Sequence, residues 1–175
     1  MPVLVFALAL ALASAAVLPG CGGAGATLTG RTLRTPETAY TIGELGADWR
    51  RIQVDEHNDL AFAHEGLDAV IQANSSCDPA LDIPLVALTN HLLAGFTERA
   101  IREQTLVPLD AREAMRTHVV AKLDGVVREL VLVVLKKDGC VYDLALVAPP
   151  GERFTQAMGS WDAFLGPFHA ERGTP

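Results

Sequence analysis

The chain has 175 residues, with 14 Lys and Arg against 21 Asp and Glu, so its formal net charge at pH 7 is −7. Binding to a phosphate backbone needs clustered basic side chains. The longest basic cluster is the pair Lys136-Lys137, so we expect no nucleic-acid partner. This length is sufficient for one domain with a hydrophobic core but is short for two such domains.

The first twenty residues predict a secretory signal. They carry no charged side chain and end in small residues, and nothing amphipathic marks them as a helix of the folded domain. The sequence Leu18-Pro19-Gly20-Cys21 resembles the lipobox of bacterial lipoproteins. The resemblance implies that residues 1–20 are removed and that Cys21 receives the lipid that anchors the protein in a bilayer.

The residues around the lipobox also bear on location. The residue after Cys21 is Gly22 rather than Asp, which resembles the pattern that directs lipoproteins to the outer membrane. We therefore expect a lipid-anchored protein on the periplasmic face of the outer membrane. Two alternatives stay open. One is an uncleaved membrane anchor, for which about 17 apolar residues lie at the lower limit, and the other is a cytosolic chain. No Lys or Arg precedes Arg31, so the basic n-region of a signal is missing, which a start upstream of Met1 or an uncleaved anchor would explain.

Residues 21–39 are rich in Gly and Thr and have little to bury, so they predict a flexible tether. We expect a single domain over residues 40–170. Runs at 49–54 and 59–64, joined by a polar segment, predict a hairpin, and residues 69–74 predict a third strand.

A helix and a meander follow the third strand. Asp82 offers a helix cap and Pro84 suits a first turn. The apolar stripe of this helix comprises Leu85, Leu88, Leu92 and Phe96. Runs at 115–123, 126–135 and 140–147 are separated by Asp-Gly turns, which predicts three antiparallel strands.

The middle strand of this meander and the last helix determine the fold class. Residues 130–135 do not alternate, so this strand should be buried on both faces. A final helix is predicted by the helical spacing of Phe154, Met158, Trp161, Leu165 and Phe168. Together these elements predict an α+β fold in which an antiparallel sheet lies between helices, an α/β/α sandwich.

The order of elements from Tyr40 to Phe168, with Trp49, Asp59-Leu60-Ala61-Phe62 and Tyr142, resembles the PsbP-like fold. That fold also occurs in DcrB proteins and in the Ran-binding Mog protein. The lipobox, with Asp-Leu-Ala-Phe-x-His and Lys-Lys-Asp-Gly-Cys-Val-Tyr-Asp, is similar to short Gram-negative lipoproteins of unknown function. The resemblance implies this fold and a tendency to bind or assemble other proteins.

If Cys21 carries lipid, Cys77 and Cys140 remain as an even pair in an oxidising compartment. Both lie at predicted strand ends, where a disulfide is geometrically feasible. The alternative is two buried thiols that act as small hydrophobes. A catalytic Cys is the least favoured reading, since no basic cluster would lower its pKa.

The histidines give no strong site signal. His57 lies in an acidic loop with Asp55, Glu56 and Asp59 that could bind a cation weakly. We favour the alternative that this loop is polar because it is a solvent-exposed hairpin tip. We expect His64 to be a packing residue, and His118, beside Arg116, to be a satisfied strand histidine rather than part of a polar binding patch. His91 and His169 are predicted on helices without a second ligand at i+4.

Catalytic signatures are also weak. Gly159-Ser160-Trp161 lacks the second glycine of a nucleophile elbow, and we expect no catalytic residue, no cofactor and no metal. The favoured function is a noncatalytic envelope protein that binds or helps to assemble a protein partner. The alternatives are a module that binds a small ligand or metal, and an unrecognised hydrolase that uses His118 and Arg116 with an acidic neighbour.

Overall fold

The computed structural model describes residues 26–54 and 58–172, which form two antiparallel sheets and two α-helices, as the predicted α+β class requires. The strands are β1 (Thr27–Thr29), β2 (Thr32–Arg34), β3 (Thr38–Thr41), β4 (Arg50–Ile52), β5 (Leu60–His64), β6 (Ala69–Ser76), β7 (Thr97–Leu109), β8 (Arg112–Leu123), β9 (Val126–Lys137), β10 (Cys140–Ala148) and β11 (His169–Arg172). The helices are α1 (Leu85–Leu92) and α2 (Glu152–Leu165). The predicted signal and its lipid site, Cys21, lie outside the described residues.

The large sheet has seven strands in the order β4-β5-β6-β10-β9-β8-β7. The predicted hairpin is confirmed, since Arg51 of β4 lies opposite Phe62 of β5. The meander is also confirmed, and β7 extends it to four strands. Its Asp-Gly turns have positive φ at both positions, for example 49° at Asp124 and 80° at Gly125, which is the conformation that two-residue hairpins require.

Strand β9 is covered on both faces, as its uninterrupted apolar run predicts. Every residue from 130 to 135 is buried. Val131 and Val133 belong to the core cluster that includes Trp161 of α2, whereas Val134 packs with Leu88 of α1. The sheet therefore has a helix on each side.

Residues 27–39 correct the prediction of a flexible tether. They contain β1, β2 and the start of β3, which belong to a second sheet with the order β1-β2-β3-β11. Leu33 is fully buried in the same core cluster as Tyr40. The sequence pattern did not indicate this sheet because its strands have three or four residues and one pairing partner, β11, is remote along the chain. The domain thus begins before residue 40 and reaches Arg172.

Helix α1 differs from the prediction at both ends. Its N-cap is Pro84, without a side-chain cap, whereas Asp82 pairs with Lys136, so the predicted Asp82 cap is wrong. The helix ends at Leu92 because the chain turns there, with Gly95 at a φ of 87°. Phe96 therefore lies beyond the helix, although it still packs on the core.

Helix α2 ends at Leu165, so Phe168 follows the helix and His169 lies in β11. The prediction of a helical His169 is wrong for this reason. Beside the end of α2, the backbone N–H of Gly43 donates to the carbonyl of Phe164 at 2.8 Å. A Cβ at Gly43 would lie 1.7 Å from the carbonyl oxygen of Ala163, so this close approach requires glycine.

Candidate functional site

The α1 side of the large sheet is only partly covered, because α1 has eight residues and packs on β8 and β9. A pocket with a cavity volume of about 60 Å³ lies beside α1, over β6, β10 and β9. By volume it holds about four to six water-sized groups. Its lining residues are Gln72, Asn74, Leu92, Phe96, Leu130, Leu132, Asp143, Ala145 and Val147.

Asp143 is the charged residue of this pocket. Alternation along β10 directs Tyr142 and Leu144 into the core beneath α2, and Asp143 toward α1. Its Oδ1 atom is buried and has no hydrogen-bond partner among the described residues. Burial raises the pKa of the Asp143 carboxyl to about 6, because a low-dielectric environment disfavours the charged form. At neutral pH the pocket therefore contains a poorly solvated carboxylate.

Two amides from β6 complete the polar side of the pocket. Asn74 lies opposite Asp143 in the β6–β10 register. Its Oδ1 accepts hydrogen bonds from the Asn58 side chain at 2.8 Å and from the backbone N–H of Asp59 at 3.1 Å. Gln72, two residues earlier, forms no side-chain hydrogen bond with the described part of the chain. Its amide oxygen is thus available as an acceptor.

The opposite flank of α1 is bordered by β7, the edge strand of the large sheet. Residues 97–106 of this strand are all exposed. Ile101 and Leu106 are each 50% exposed. Register shifts interrupt the pairing with β8 up to Glu103, and the pairing is then continuous to Leu109. Pro108 lies near the end of the regular stretch.

The histidine favoured by the hydrolase alternative is held by structural contacts. His118 Nε2 lies 2.8 Å from Oε1 of Glu129, and its ring stacks on Phe154 with the centroids 5.2 Å apart. Glu129 also accepts the backbone N–H of Gly151 at 3.1 Å. Arg116 pairs instead with a different carboxylate, that of Glu103, at 2.8 Å. His118 is therefore a satisfied strand histidine, as predicted.

The other candidate residues do not form one site. Residues 55–57 lie outside the described part of the chain, and Asp59 accepts hydrogen bonds from the backbone and hydroxyl of Ser75, both at 2.7 Å. His64 is half-buried and its ring packs edge-on against Trp49 with the centroids 5.4 Å apart, which confirms a packing role, and its Nδ1 also accepts the N–H of Leu67. Residues 26–54 and 58–172 contain no group of three His, Cys, Asp or Glu that could hold a metal ion.

The cysteine pair is bonded. Cys77 and Cys140 form a disulfide with Cα atoms 4.1 Å apart. It joins the end of β6 to the start of β10, directly beyond the pair Ser76 and Val141. Among the described residues, no helix is long and apolar enough to cross a membrane.

Sequence reasoning missed the pocket. The available signal was a set of polar residues within strands that are otherwise apolar, namely Gln72 and Asn74 in β6 and Asp143 in β10. Val141 and Ala145 share the strand face of Asp143, so the charged residue interrupts an otherwise apolar face of β10. The turn at Gly95 that brings Phe96 over the sheet gives no comparable signal.

Comparisons with known proteins support the fold. No family model and no curated protein matches the chain. Among solved structures, the chain is similar to PsbP (CyanoP) from Synechocystis sp. PCC 6803, with 15% identity, coverage of 91% of this chain and 99% of that chain, and a TM-score of 0.55. A Bacteroides thetaiotaomicron structure has 9% identity, coverage of 77% and 45%, and a TM-score of 0.50.

A third similar structure is LpqN, a protein involved in cell envelope biogenesis in Mycobacterium tuberculosis, with 20% identity, coverage of 78% and 84%, and a TM-score of 0.48. At such identities a likeness concerns the fold alone. The similarity to CyanoP, which spans most of both chains, shows that the chain has a PsbP-like α+β fold, as the sequence predicts.

Proposed function

We propose that the chain is a noncatalytic, lipid-anchored protein of the cell envelope whose domain binds a protein partner through β7. Lipid on Cys21 holds the domain at the periplasmic face of the outer membrane in this proposal. The Cys77–Cys140 disulfide supports an oxidising compartment. The contacts that occupy His118 and Arg116 favour a structural role for both residues over catalysis.

The observation that carries the proposal is the exposed edge of β7. An edge strand presents unpaired backbone N–H and C=O groups, to which an extended segment of another protein can add as a further strand. The regular stretch, residues 103–107, lies between the register shifts and Pro108. Leu106 is half-exposed within this stretch, and Ile101 is half-exposed just before it, so the matching partner segment is extended and carries an apolar side chain that faces Leu106.

The experiment places a photo-crosslinking residue at Arg102, an exposed position of β7, in intact cells. We expect one adduct of defined mass, and we expect Leu106→Lys to abolish it, since it replaces the half-exposed apolar side chain of the regular stretch with a charged one. The matched control is Val126→Lys. Val126 is 53% exposed at the β8–β9 turn, away from the proposed edge, so this variant should keep the adduct.

Two results count against this proposal. One is an adduct that survives Leu106→Lys in a variant of unchanged thermal stability. The other is an equal adduct from a crosslinker at Ile52, an exposed residue of β4 at the other edge of the sheet. Either result would remove β7 as the binding edge.

A further inference from the structure

We propose that the pocket beside α1 binds a primary alkylammonium group, with Asp143 as its counter-ion. The proposal is independent of β7, because the pocket lies over β6, β10 and β9 on the other flank of α1. Two sources share this chemistry. They are a free small amine and the lysine side chain of a bound protein.

The cavity contains a charged group that its surroundings do not neutralise. Asp143 Oδ1 is buried and lacks a hydrogen-bond partner among the described residues. A buried carboxylate is costly unless a positive group or hydrogen-bond donors face it. No other residue that lines the pocket carries a charge. An ammonium group supplies both the positive charge and the donors, whereas an anion would be repelled.

The lining of the cavity has the polarity and the size that suit a short alkylammonium group. The amide oxygen of Gln72 gives a second acceptor on the same face as Asp143, and an ammonium group has three N–H donors to share between them. The remaining wall is apolar and comprises Leu92, Phe96, Leu130 and Leu132. Such a wall fits a short alkyl chain, and the volume of about 60 Å³ limits it to a few carbon atoms.

The test is an NMR titration of the detergent-solubilised full chain with n-butylamine hydrochloride at pH 7. We expect saturable shifts of the amide resonances of Gln72, Phe96 and Asp143. Asp143→Asn should weaken binding about tenfold or more, which corresponds to one charged hydrogen bond. This variant removes an unpartnered charge, so it should fold. The control is Asp162→Asn, at an exposed position of α2, which should bind as the wild type does.

Two further titrations complete the test. n-Butanol has the same chain without the charge and should bind at least tenfold more weakly. Nα-acetyl-lysine methylamide distinguishes the two sources. If the pocket binds a lysine side chain of a partner, this compound should bind as tightly as butylamine. If the pocket binds a free small amine, the compound should bind more weakly than butylamine.

The proposal is overturned by the absence of saturable shifts with both amines. It is also overturned by equal binding of butanol and butylamine, or by an Asp143→Asn variant that binds as tightly as the wild type.

Discussion

The ionised carboxylate of Asp143 lowers the free energy of unfolding, as its raised pKa indicates. Burial raises that pKa from 3.8 to about 6, so between these values the folded protein binds more protons than the unfolded chain. The contribution of this group to stability therefore falls as pH rises from 4 to 6 and stays low at pH 7. We expect Asp143→Asn to raise the free energy of unfolding at pH 7 by about 1–3 kcal/mol.

Urea unfolding of both proteins at pH 7 and pH 4 measures this effect. The advantage of Asp143→Asn over the wild type should shrink as pH falls, since the wild-type carboxyl becomes neutral. Other groups with raised pKa values, such as Asp59, are common to both proteins and cancel in the comparison. An advantage that is equal at both pH values would contradict the argument.

Asp110 has the opposite behaviour, because its carboxylate is fully engaged. It accepts from Lys137 at 2.7 Å, His169 at 2.7 Å and the backbone N–H of Ala170 at 2.8 Å, and its side chain is 8% exposed. Burial would raise the pKa of Asp110, but these hydrogen bonds hold it below its usual value. Its stabilisation is present above the unfolded-state pKa and is lost as pH falls through the lower folded pKa.

We expect Asp110→Ala to lower the free energy of unfolding at pH 7 by about 2–4 kcal/mol, since it leaves Lys137 without its carboxylate. The control Asp162→Ala, at an exposed site on α2, should change little. Urea midpoints for the three proteins provide the measurement. Equal midpoints for Asp110→Ala and the control would show that the network contributes nothing.

At the residue scale, the sequence predicts the core better than the pocket. His64 and His118 have the packing and strand roles that their neighbours indicate. Asp143 was not predicted as a site because alternation along β10 does not reveal what covers each face. That depends on where Phe96 lies after the turn that ends α1, which is a tertiary feature.

At the element scale, periodicity predicts the central strands and both helices. It fails for β7, in which a mixture of charged and apolar residues has no regular alternation across the register shifts. It also fails for the small sheet, since strands of three or four residues depend on their pairing partners for stability. Both failures concern segments whose conformation is determined by distant contacts.

The small sheet leads to a prediction about Leu33. If residues 27–39 were a tether, Leu33→Ala would not affect stability. Since Leu33 is fully buried in the main core, we expect the substitution to lower the free energy of unfolding by about 2–4 kcal/mol. Thr29→Ala, at an exposed position of β1, is the control. Thermal or urea unfolding distinguishes the two cases.

The disulfide joins two neighbouring strands that are distant along the chain, with a sequence separation of 63. On the chain-entropy model, a loop of this length stabilises the fold by about 4 kcal/mol. The double variant Cys77→Ser and Cys140→Ser should lose this amount in urea unfolding. Dithiothreitol should destabilise the wild type by a similar amount and leave the double variant unchanged, and a wild type indifferent to dithiothreitol would refute this.

At the scale of the whole molecule, two layers of helix enclose a seven-stranded sheet, and a smaller sheet extends the core beneath α2. The sequence predicts the layers because a strand with apolar residues on both faces needs cover on both sides. The short α1 leaves surfaces on both flanks, and the two binding proposals concern these surfaces. The protein-binding function proposed for β7 requires that the protein is located in the cell envelope.

That location is tested most directly by the intact mass of the protein extracted from membranes in detergent, measured before and after reduction. We expect a chain that begins at Cys21, carries diacylglyceryl and acyl groups, and gains the mass of two hydrogen atoms when the Cys77–Cys140 bond is reduced. A chain that begins at Met1, without lipid and with a mass that reduction leaves unchanged, would contradict this expectation.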